Sequence, residues 1–113
     1  MISMRHRFHG YGGVRAVYRD GKTVRGPLVS LKYMDRGKKP GYRAAVVVSR
    51  KVHKSAVARN RIRRRVYEVI RQSDNQLLDR KDLVFTVFSD KVADMEPDQL
   101  RQAVKNLLSK TSR

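Results

Sequence analysis

The densest group of reactive side chains in this chain lies at residues 59–65, which read Arg-Asn-Arg-Ile-Arg-Arg-Arg. Five guanidinium groups and one amide surround a single apolar residue. Guanidinium groups form charge-assisted, often bidentate hydrogen bonds with phosphate and carboxylate groups. Like charges this close together repel one another unless an anion neutralises them. The segment therefore predicts a docking surface for a large polyanion.

The positive charge is confined to the first part of the chain. The 113 residues carry 27 Lys and Arg against 10 Asp and Glu, a formal net charge of +17. Residues 1–71 hold 20 of these cations and 3 of the acids, whereas residues 72–113 hold 7 of each. This polarity indicates one face that docks on an anion and a neutral part that completes the fold. We expect the partner to be nucleic acid.

Length and composition limit the class of protein. With 113 residues, 40% of them hydrophobic, the chain can form one core, so we expect a single domain over residues 1–113 that binds nucleic acid. The absence of cysteine excludes disulfide scaffolds and thiol nucleophiles, and it fits a reducing compartment. No apolar run approaches the roughly 18 residues of a membrane span, and no signal-like block follows Met1. The expectation is a cytoplasmic protein with no membrane partner.

Apolar periodicity predicts the elements that position the basic segment. A short first helix is expected to end at Gly21, with this glycine in a left-handed conformation. Pro97 is expected to open the last helix. The predicted order is helix 12–19, strand 28–33, loop 34–42, strand 43–49, helix 55–72, strand 82–88 and a final helix from residue 97.

The long helix separates into two faces when its residues are placed at 100° intervals. The apolar face holds Ala58, Ile62, Val66, Val69 and Ile70, and the opposite face holds Asn60, Arg63, Arg64, Tyr67 and Arg71. Arg59 and Arg65 flank the apolar face, so their stems can lie along the edge of the core. The alternative interpretation is an ordinary solvated face. Such faces alternate Glu with Lys or Arg, whereas Glu68 is the only acid here.

The strands predict a second surface. In strand 43–49, Ala44, Val46 and Val48 point to the core, which leaves Ala45, Val47 and Ser49 as a shallow face of small residues. In strand 28–33, Val29, Leu31 and Tyr33 share one face and Lys32 lies on the other. Tyr18, four residues after Val14, has two interpretations that remain open: a core residue of the first helix, or an exposed aromatic ring.

Catalysis by the chain's own side chains is disfavoured. Nucleases that work alone hold metal ions with clustered carboxylates, and the basic region offers only Asp20, Asp35 and Glu68, at spacings that do not gather them. His6, His9 and His53 form no acid–base pair and are interpreted as surface residues or minor RNA contacts. We therefore predict no catalytic and no metal-binding residue.

Residues 46–65 resemble the signature of the bacterial ribonuclease P protein subunit. The run Val-Val-Val-Ser-Arg-Lys-Val at 46–52 is followed by Lys54-Ser55 and by Arg-Asn-Arg-Ile-Arg-Arg at the head of a helix. The similarity covers nearly the whole chain, since 14–21 resembles the family's short first helix, and 82–88 with the last helix resembles its end. Arg-Asn-Arg alone is a weak signal, but its place after the strand and loop makes the motif specific.

The resemblance implies a fold, a partner and an activity. The fold is an α/β (α+β) two-layer sandwich, with a central mixed sheet of about four strands and a left-handed βαβ crossover that carries the basic helix. The partners are the catalytic RNA of ribonuclease P and precursor tRNA, whose 5′ leader the complex removes; no protein partner is implied. Cleavage is expected to reside in the RNA, with Mg²⁺ held by RNA and none bound tightly by the protein. The alternative is a structural RNA-binding protein of ribosomal type.

The resemblance, together with the charge and strand patterns, predicts two groups of site residues. Contacts to the catalytic RNA are predicted for Arg50, Lys51, Lys54, Arg59, Asn60, Arg61, Arg63, Arg64, Arg65 and Arg71. A cleft for the single-stranded leader, between the first helix and the sheet, is predicted from Phe8, Tyr11, Val14, Tyr18, Lys32, Ala45, Val47 and Ser49. Val14 is a departure, because the family usually has an aromatic residue there. Stacking on the leader would then depend on Tyr18 alone, or on Phe8 or Tyr11 from the N-terminal arm.

Overall fold

A computed structural model of the chain describes residues 6–8, 12–73 and 75–111. The elements follow in the order α1 (Gly12–Asp20), β1 (Lys22–Val24), β2 (Val29–Asp35), β3 (Arg43–Val48), α2 (Ala56–Gln72), α3 (Asn75–Leu78), β4 (Lys81–Val87), a 3₁₀ turn (Asp90–Ala93) and α4 (Pro97–Ser109). The four strands form one sheet in the order β1-β2-β4-β3.

The sheet is mixed. β2 pairs antiparallel with both β1 and β4, whereas β3 lies parallel to β4. Because parallel neighbours cannot be joined by a tight turn, the chain crosses from β3 to β4 through α2. The predicted fold class, a four-stranded mixed sheet with a crossover that carries the basic helix, is confirmed. The left hand of this crossover stays a prediction.

The main core lies on one face of the sheet. The residues of β2, β3 and β4 that point to this face pack against the apolar sides of α2 and α4. The buried strand residues are Val29, Leu31, Ala44, Val46, Val48, Leu83, Phe85 and Val87. The predicted alternation in β3 is confirmed, since buried and half-buried residues alternate along it.

The opposite face of the sheet is covered only in part. α1 contacts β2 and β4 there, and Val17 of α1 and Val84 of β4 are both fully buried. On the uncovered side, Ala45 and Val47 of the edge strand β3 are half-buried. A groove with a floor of small side chains is therefore left between α1 and β3.

α2 is anchored at both ends and along one side. The Ser55 side chain caps its N-terminus by accepting a hydrogen bond from the Ala58 amide at 3.3 Å, and the Ser73 amide donates to the Ile70 carbonyl at the other end. The predicted apolar face is confirmed, with Ile62, Val66, Val69 and Ile70 buried and Ala58 half-buried. No helix within the described ranges is long and apolar enough to cross a membrane.

The predicted loop at 34–42 begins too early. Met34 and Asp35 continue β2 because they pair with Asp82 and Lys81 of β4. The pairing partner lies almost fifty residues away in sequence, so the local pattern of glycine, proline and charge outweighed it in the prediction.

Gly21 follows the end of α1, but the prediction of a left-handed conformation there is wrong. Among the described residues the positive-φ glycines are Gly37 (67°) and Gly41 (77°). A Cβ atom at Gly21 would lie 2.4 Å from the Val17 carbonyl oxygen and 3.0 Å from the Tyr33 carbonyl oxygen. Glycine is required here because a side chain would meet two backbone oxygens, the nearer in the last turn of α1 itself and the other in β2.

We therefore expect Gly21→Ala to lower the free energy of unfolding by about 1–3 kcal/mol, since the new methyl group meets two backbone oxygens that cannot easily move. Urea unfolding measures this change. The control is Gly37→Asn, which introduces a side chain where no atom lies within 4 Å. Asn adopts positive φ readily, so the control is expected to stay within about 0.5 kcal/mol of the wild type. Equal effects in both variants would contradict the steric explanation.

Candidate nucleic-acid interface

The outward face of α2 carries a cluster of polar side chains, which we call the outward cluster: Asn60, Arg61, Arg63 and Arg64. The Arg63 guanidinium donates to the Asn60 side-chain oxygen, and Arg64 Nε donates to the Asn60 carbonyl at 3.4 Å. Arg61 Nη2 lies 3.7 Å from an Asp94 carboxylate oxygen, with the two side chains 62% and 84% exposed, so solvent screens this pair. A guanidinium has five N–H donors, so each of these arginines keeps donors beyond the contacts named; Arg61 and Arg64 are exposed, and Arg63 is half-buried.

Three other arginines of α2 are engaged by the protein itself, and we call them the anchored arginines: Arg59, Arg65 and Arg71. Arg59 Nη1 donates to the carbonyl oxygens of His53 and Lys54, both at 2.9 Å. Arg65 donates to the carbonyls of Val92, at 2.6 Å, and Met95. These bonds hold the loop before α2 and the 3₁₀ turn against the helix.

Arg71 is anchored by an acid rather than by carbonyl groups. Its Nε lies 3.1 Å from Glu68 Oε2, and its Nη2 also contacts the same carboxylate. The hydrogen bonds raise the pKa of Arg71 above its ordinary value and lower the pKa of Glu68 below its ordinary value. Of the cations predicted on α2, Arg71 therefore has its charge most directly balanced within the protein.

The loop between β3 and α2 extends the basic surface. Arg50, Lys51 and Lys54 are exposed there. The Val52 amide donates to the Ser49 carbonyl at 3.1 Å, and the Ser55 amide donates to His53 Nδ1 at 3.0 Å. The loop is thus a turn held by its own backbone, and its cations lead directly into the helix.

Tyr67 of α2 forms a hydrogen bond with the edge strand of the sheet. Its hydroxyl accepts a hydrogen bond from the Val46 amide at 3.1 Å, and the Arg7 guanidinium carbon lies 5.9 Å from its ring centroid. β3 is an edge strand, whose unpaired amides require partners. Tyr67 supplies one of them, and a bridge between Arg7 and Ala44 adds to the cover of this edge.

Tyr18 stands at the groove between α1 and the sheet. Its side chain is 41% exposed, so the interpretation as a core residue is wrong. Its hydroxyl lies 3.5 Å from Thr86 Oγ1. Lys32 Nζ donates to the Tyr18 carbonyl at 3.0 Å and lies 5.6 Å from the ring centroid. Helix and sheet are therefore joined here by an aromatic ring and a cation, both within reach of a ligand in the groove.

The floor of the groove is built by two neighbouring strands. Ala45 lies beside Val84, and Val47 lies beside Thr86. Ser49 follows β3 and is exposed, while Val14 on α1 is half-buried. The structure thus brings together Val14, Tyr18, Lys32, Ala45, Val47 and Ser49 on the α1 side of the sheet, where the sequence places the leader cleft.

Phe8 closes one end of the groove. The Arg43 guanidinium carbon lies 4.8 Å from its ring centroid, and a Cβ atom at Gly13 would lie 2.7 Å from the ring. Arg43 forms a bidentate pair with Asp82, at 2.8 and 2.7 Å, and Asp82 is 8% exposed. Hydrogen bonding to Asp82 raises the pKa of Arg43. The Arg43 guanidinium, which Asp82 holds in place, therefore covers one face of the Phe8 ring.

The sequence reasoning missed the pair of Arg43 and Asp82 and the contact of Thr86 with Tyr18. The first had a signal, because opposite charges near the starts of two parallel neighbouring strands lie at the same end of a sheet. Thr86 had none, since nothing in the sequence sets the position of α1 across β4.

The predicted site residue Tyr11, and His9, lie outside the described residues. His6 is half-buried, and its ring stacks on Tyr42 at 4.0 Å between centroids while its Nδ1 lies 3.0 Å from the Tyr42 carbonyl oxygen. Burial raises the pKa of Tyr42. Within the described ranges no three His, Asp or Glu side chains gather as a metal ion requires.

Comparison with known proteins agrees with this architecture. The model of the Ribonuclease P family matches residues 3–112. The ribonuclease P protein component of Caldanaerobacter subterraneus is 36% identical over 97 residues, which cover 86% of this chain and 81% of that protein. The component from a Pseudanabaena species is 33% identical over 110 residues, with coverage of 97% and 94%.

Solved structures share the fold. The ribonuclease P protein of Thermotoga maritima superimposes with a TM-score of 0.82 at 21% identity, covering 95% of this chain and 98% of its own. The protein of Staphylococcus aureus gives a TM-score of 0.80 at 20% identity, with 95% of each chain covered. The family match over almost the full length, together with relatives above 30% identity, shows that this chain belongs to the ribonuclease P protein family.

Proposed function

We propose that this chain is the RNA-binding protein subunit of ribonuclease P, which binds the catalytic RNA and the 5′ leader of precursor tRNA and assists removal of the leader. The outward cluster on α2 carries the proposal. It presents three guanidinium groups and an amide on a helix whose other side is fixed in the core. The names of the relatives, ribonuclease P protein components, support the same assignment.

Docking on the catalytic RNA rests on the outward cluster and the loop cations Arg50, Lys51 and Lys54. Guanidinium groups on a rigid helix bind phosphate oxygens without the cost of ordering a flexible segment. Each phosphate contact releases counterions, so the affinity falls as salt rises. The anchored arginines contribute charge to the same surface while holding its shape.

The groove between α1 and β3 is proposed to hold the single-stranded leader. Its small floor residues, Ala45 and Val47, let an RNA backbone lie against the sheet, while Tyr18 offers a ring for stacking and Lys32 a positive charge. Mature tRNA has no leader. Binding in the groove therefore adds affinity for the precursor alone.

Hydrolysis is assigned to the catalytic RNA, with Mg²⁺ held by RNA and substrate phosphates. The protein contributes affinity and position, and the complex is proposed to act in the cytoplasm. A structural RNA-binding protein of ribosomal type would also use a basic helix. It would have no reason to prefer precursor over mature tRNA, and this preference distinguishes the two functions.

The first prediction is that the purified protein with precursor tRNA and Mg²⁺ releases no 5′ leader unless the catalytic RNA is added. The reason is the scarcity of acids in the basic region, where Asp20, Asp35 and Glu68 are the only ones. Gel analysis of the products measures release, and the same preparation with catalytic RNA serves as the positive control. Specific leader release that survives removal of all RNA and contaminating nucleases would contradict the assignment.

The second prediction concerns docking. The double variant Arg63→Ala, Arg64→Ala is expected to weaken assembly with the catalytic RNA. It should also flatten the slope of log K against log salt by about 0.7–0.9 for each bond to phosphate that the substitutions remove. Filter binding at several salt concentrations measures both quantities.

Arg65→Ala is the matched control, because Arg65 is anchored. It is expected to lower the free energy of unfolding by about 1.5–3 kcal/mol, since it removes the hydrogen bonds to two backbone carbonyls, with a smaller change in salt slope. A folded double variant with unchanged assembly and unchanged slope would show that the outward cluster is an ordinary solvated face.

The third prediction concerns the groove. Val47→Trp fills the floor and is expected to weaken the binding of precursor tRNA to the holoenzyme about tenfold, a loss comparable to one base–aromatic stacking interaction. Affinity for mature tRNA should stay unchanged. Gln102→Trp, on the exposed side of α4, controls for the addition of an indole. If Val47→Trp weakened the binding of both substrates equally, or of neither, the assignment of the leader to this groove would be contradicted.

A further inference from the structure

Phe88 is an exposed aromatic residue at the end of the most buried strand. Its side chain is 57% exposed, whereas Leu83, Val84, Phe85 and Val87 before it are at most 1% exposed. The Phe88 amide donates to the Leu28 carbonyl at 2.8 Å, so the antiparallel pairing with the segment before β2 continues one residue beyond β4. The phenyl ring is therefore held on a regular backbone and presents its face to solvent, where a ligand can reach it.

The pleat of the strand decides which face carries this ring. Successive side chains alternate between the two faces of a sheet, so Phe88 shares its face with Val84 and Thr86. Val84 is buried beneath α1, and Thr86 contacts the Tyr18 hydroxyl. Phe88 therefore extends the floor of the groove beyond the end that Tyr18 occupies.

The spacing suits two neighbouring bases. Phe88 follows Thr86 by two residues, which is a step of about 7 Å along the strand. A step of this length is comparable to the distance between successive nucleotides in an extended single strand. Because the Tyr18 hydroxyl lies beside Thr86, an RNA strand with one base at Tyr18 meets Phe88 at the next step along β4.

The charges around Phe88 favour an anionic occupant. Ser49, which follows the neighbouring strand β3, leads into the exposed cations Arg50 and Lys51. Phe8 and Tyr18 already have cations near their rings. For Phe88, no stacking or cation contact occurs within the described part of the chain.

We propose that Phe88 is a second stacking residue for single-stranded RNA, which binds a leader base adjacent to the one on Tyr18 while Arg50 and Lys51 contact the flanking phosphates. This inference rests on the proposed function, since it needs the leader to lie in the groove. It adds a specific position and direction: the leader extends along β4 toward the loop that precedes α2.

An abasic scan of the leader tests the inference. Precursor tRNAs carry a leader of about eight nucleotides, within the range of single-strand binding sites, and each in turn lacks one base. Their affinities are measured for holoenzyme assembled with wild-type protein, Phe88→Ala or Tyr18→Ala. We expect Phe88→Ala to weaken binding of the intact precursor at least about fivefold. Removal of one particular base should then cost nothing further.

The coupling pattern separates the possible outcomes. Coupling of Phe88 to one base and of Tyr18 to an adjacent base supports the inference. If Tyr18 couples to a base and Phe88 couples to none, the groove holds the leader and the inference about Phe88 is wrong. If no abasic position affects the wild type, the leader does not bind in the groove, and the proposed function of the groove fails as well.

Two substitutions test whether stacking, rather than apolar bulk, is responsible. Phe88→Trp keeps an aromatic face and is expected to retain affinity and coupling. Phe88→Leu keeps apolar bulk without a ring and is expected to behave as Phe88→Ala does. Full affinity with Phe88→Leu, or a loss of self-association in Phe88→Ala seen by sedimentation, would instead assign Phe88 to a protein contact and overturn the inference.

Discussion

Burial of β4 on both of its faces is the constraint on which the other features depend. Leu83, Phe85 and Val87 face α2 and α4, whereas Val84 faces α1. Each such apolar side chain stabilises the fold by about 1.5–3 kcal/mol only while its own face is covered. α1 has nine residues and covers β2 and β4, which leaves β3 open on that side. The groove therefore exists because the short helix α1 buries Val84 of β4 without extending over β3.

The second constraint is the repulsion among the arginines of α2. The first 71 residues contain too few acids to pair them, and the fold neutralises part of the charge by other means. Arg59 and Arg65 donate to backbone carbonyls of the neighbouring loops, so these cations also satisfy polar groups of the main chain. The outward cluster is held less firmly: Arg61 reaches only the exposed Asp94, and Arg63 and Arg64 bond to Asn60 of the same helix. This difference is the physical basis for separating these arginines by role.

Local patterns predicted most of the architecture, because apolar periodicity reflects burial directly. α2 and β3 were placed within one or two residues. Features that depend on distant partners were missed: β1 is three residues long and polar, and only its pairing with β2 makes it a strand. The same reason applies in part to Gly21, since one of the two backbone oxygens that leave no room for a side chain there belongs to β2. For the site, the helical pattern already set Arg59 and Arg65 apart at the edge of the apolar face, but it could not show what Arg65 binds, since its Met95 carbonyl partner lies 30 residues away.

The parallel crossover determines how the two candidate RNA surfaces are related. β3 supplies the floor of the groove and then, through residues 49–55, becomes the capped N-terminus of α2. The floor and the basic helix are therefore joined by a short turn that is itself cationic. Arg50, Lys51 and Lys54 lie in this connection. On the proposed function, two RNA strands on the two surfaces would repel each other, and these cations would reduce that repulsion. Because one strand and one helix joined by a short turn carry both surfaces, the proposed positions of the two RNAs depend on each other.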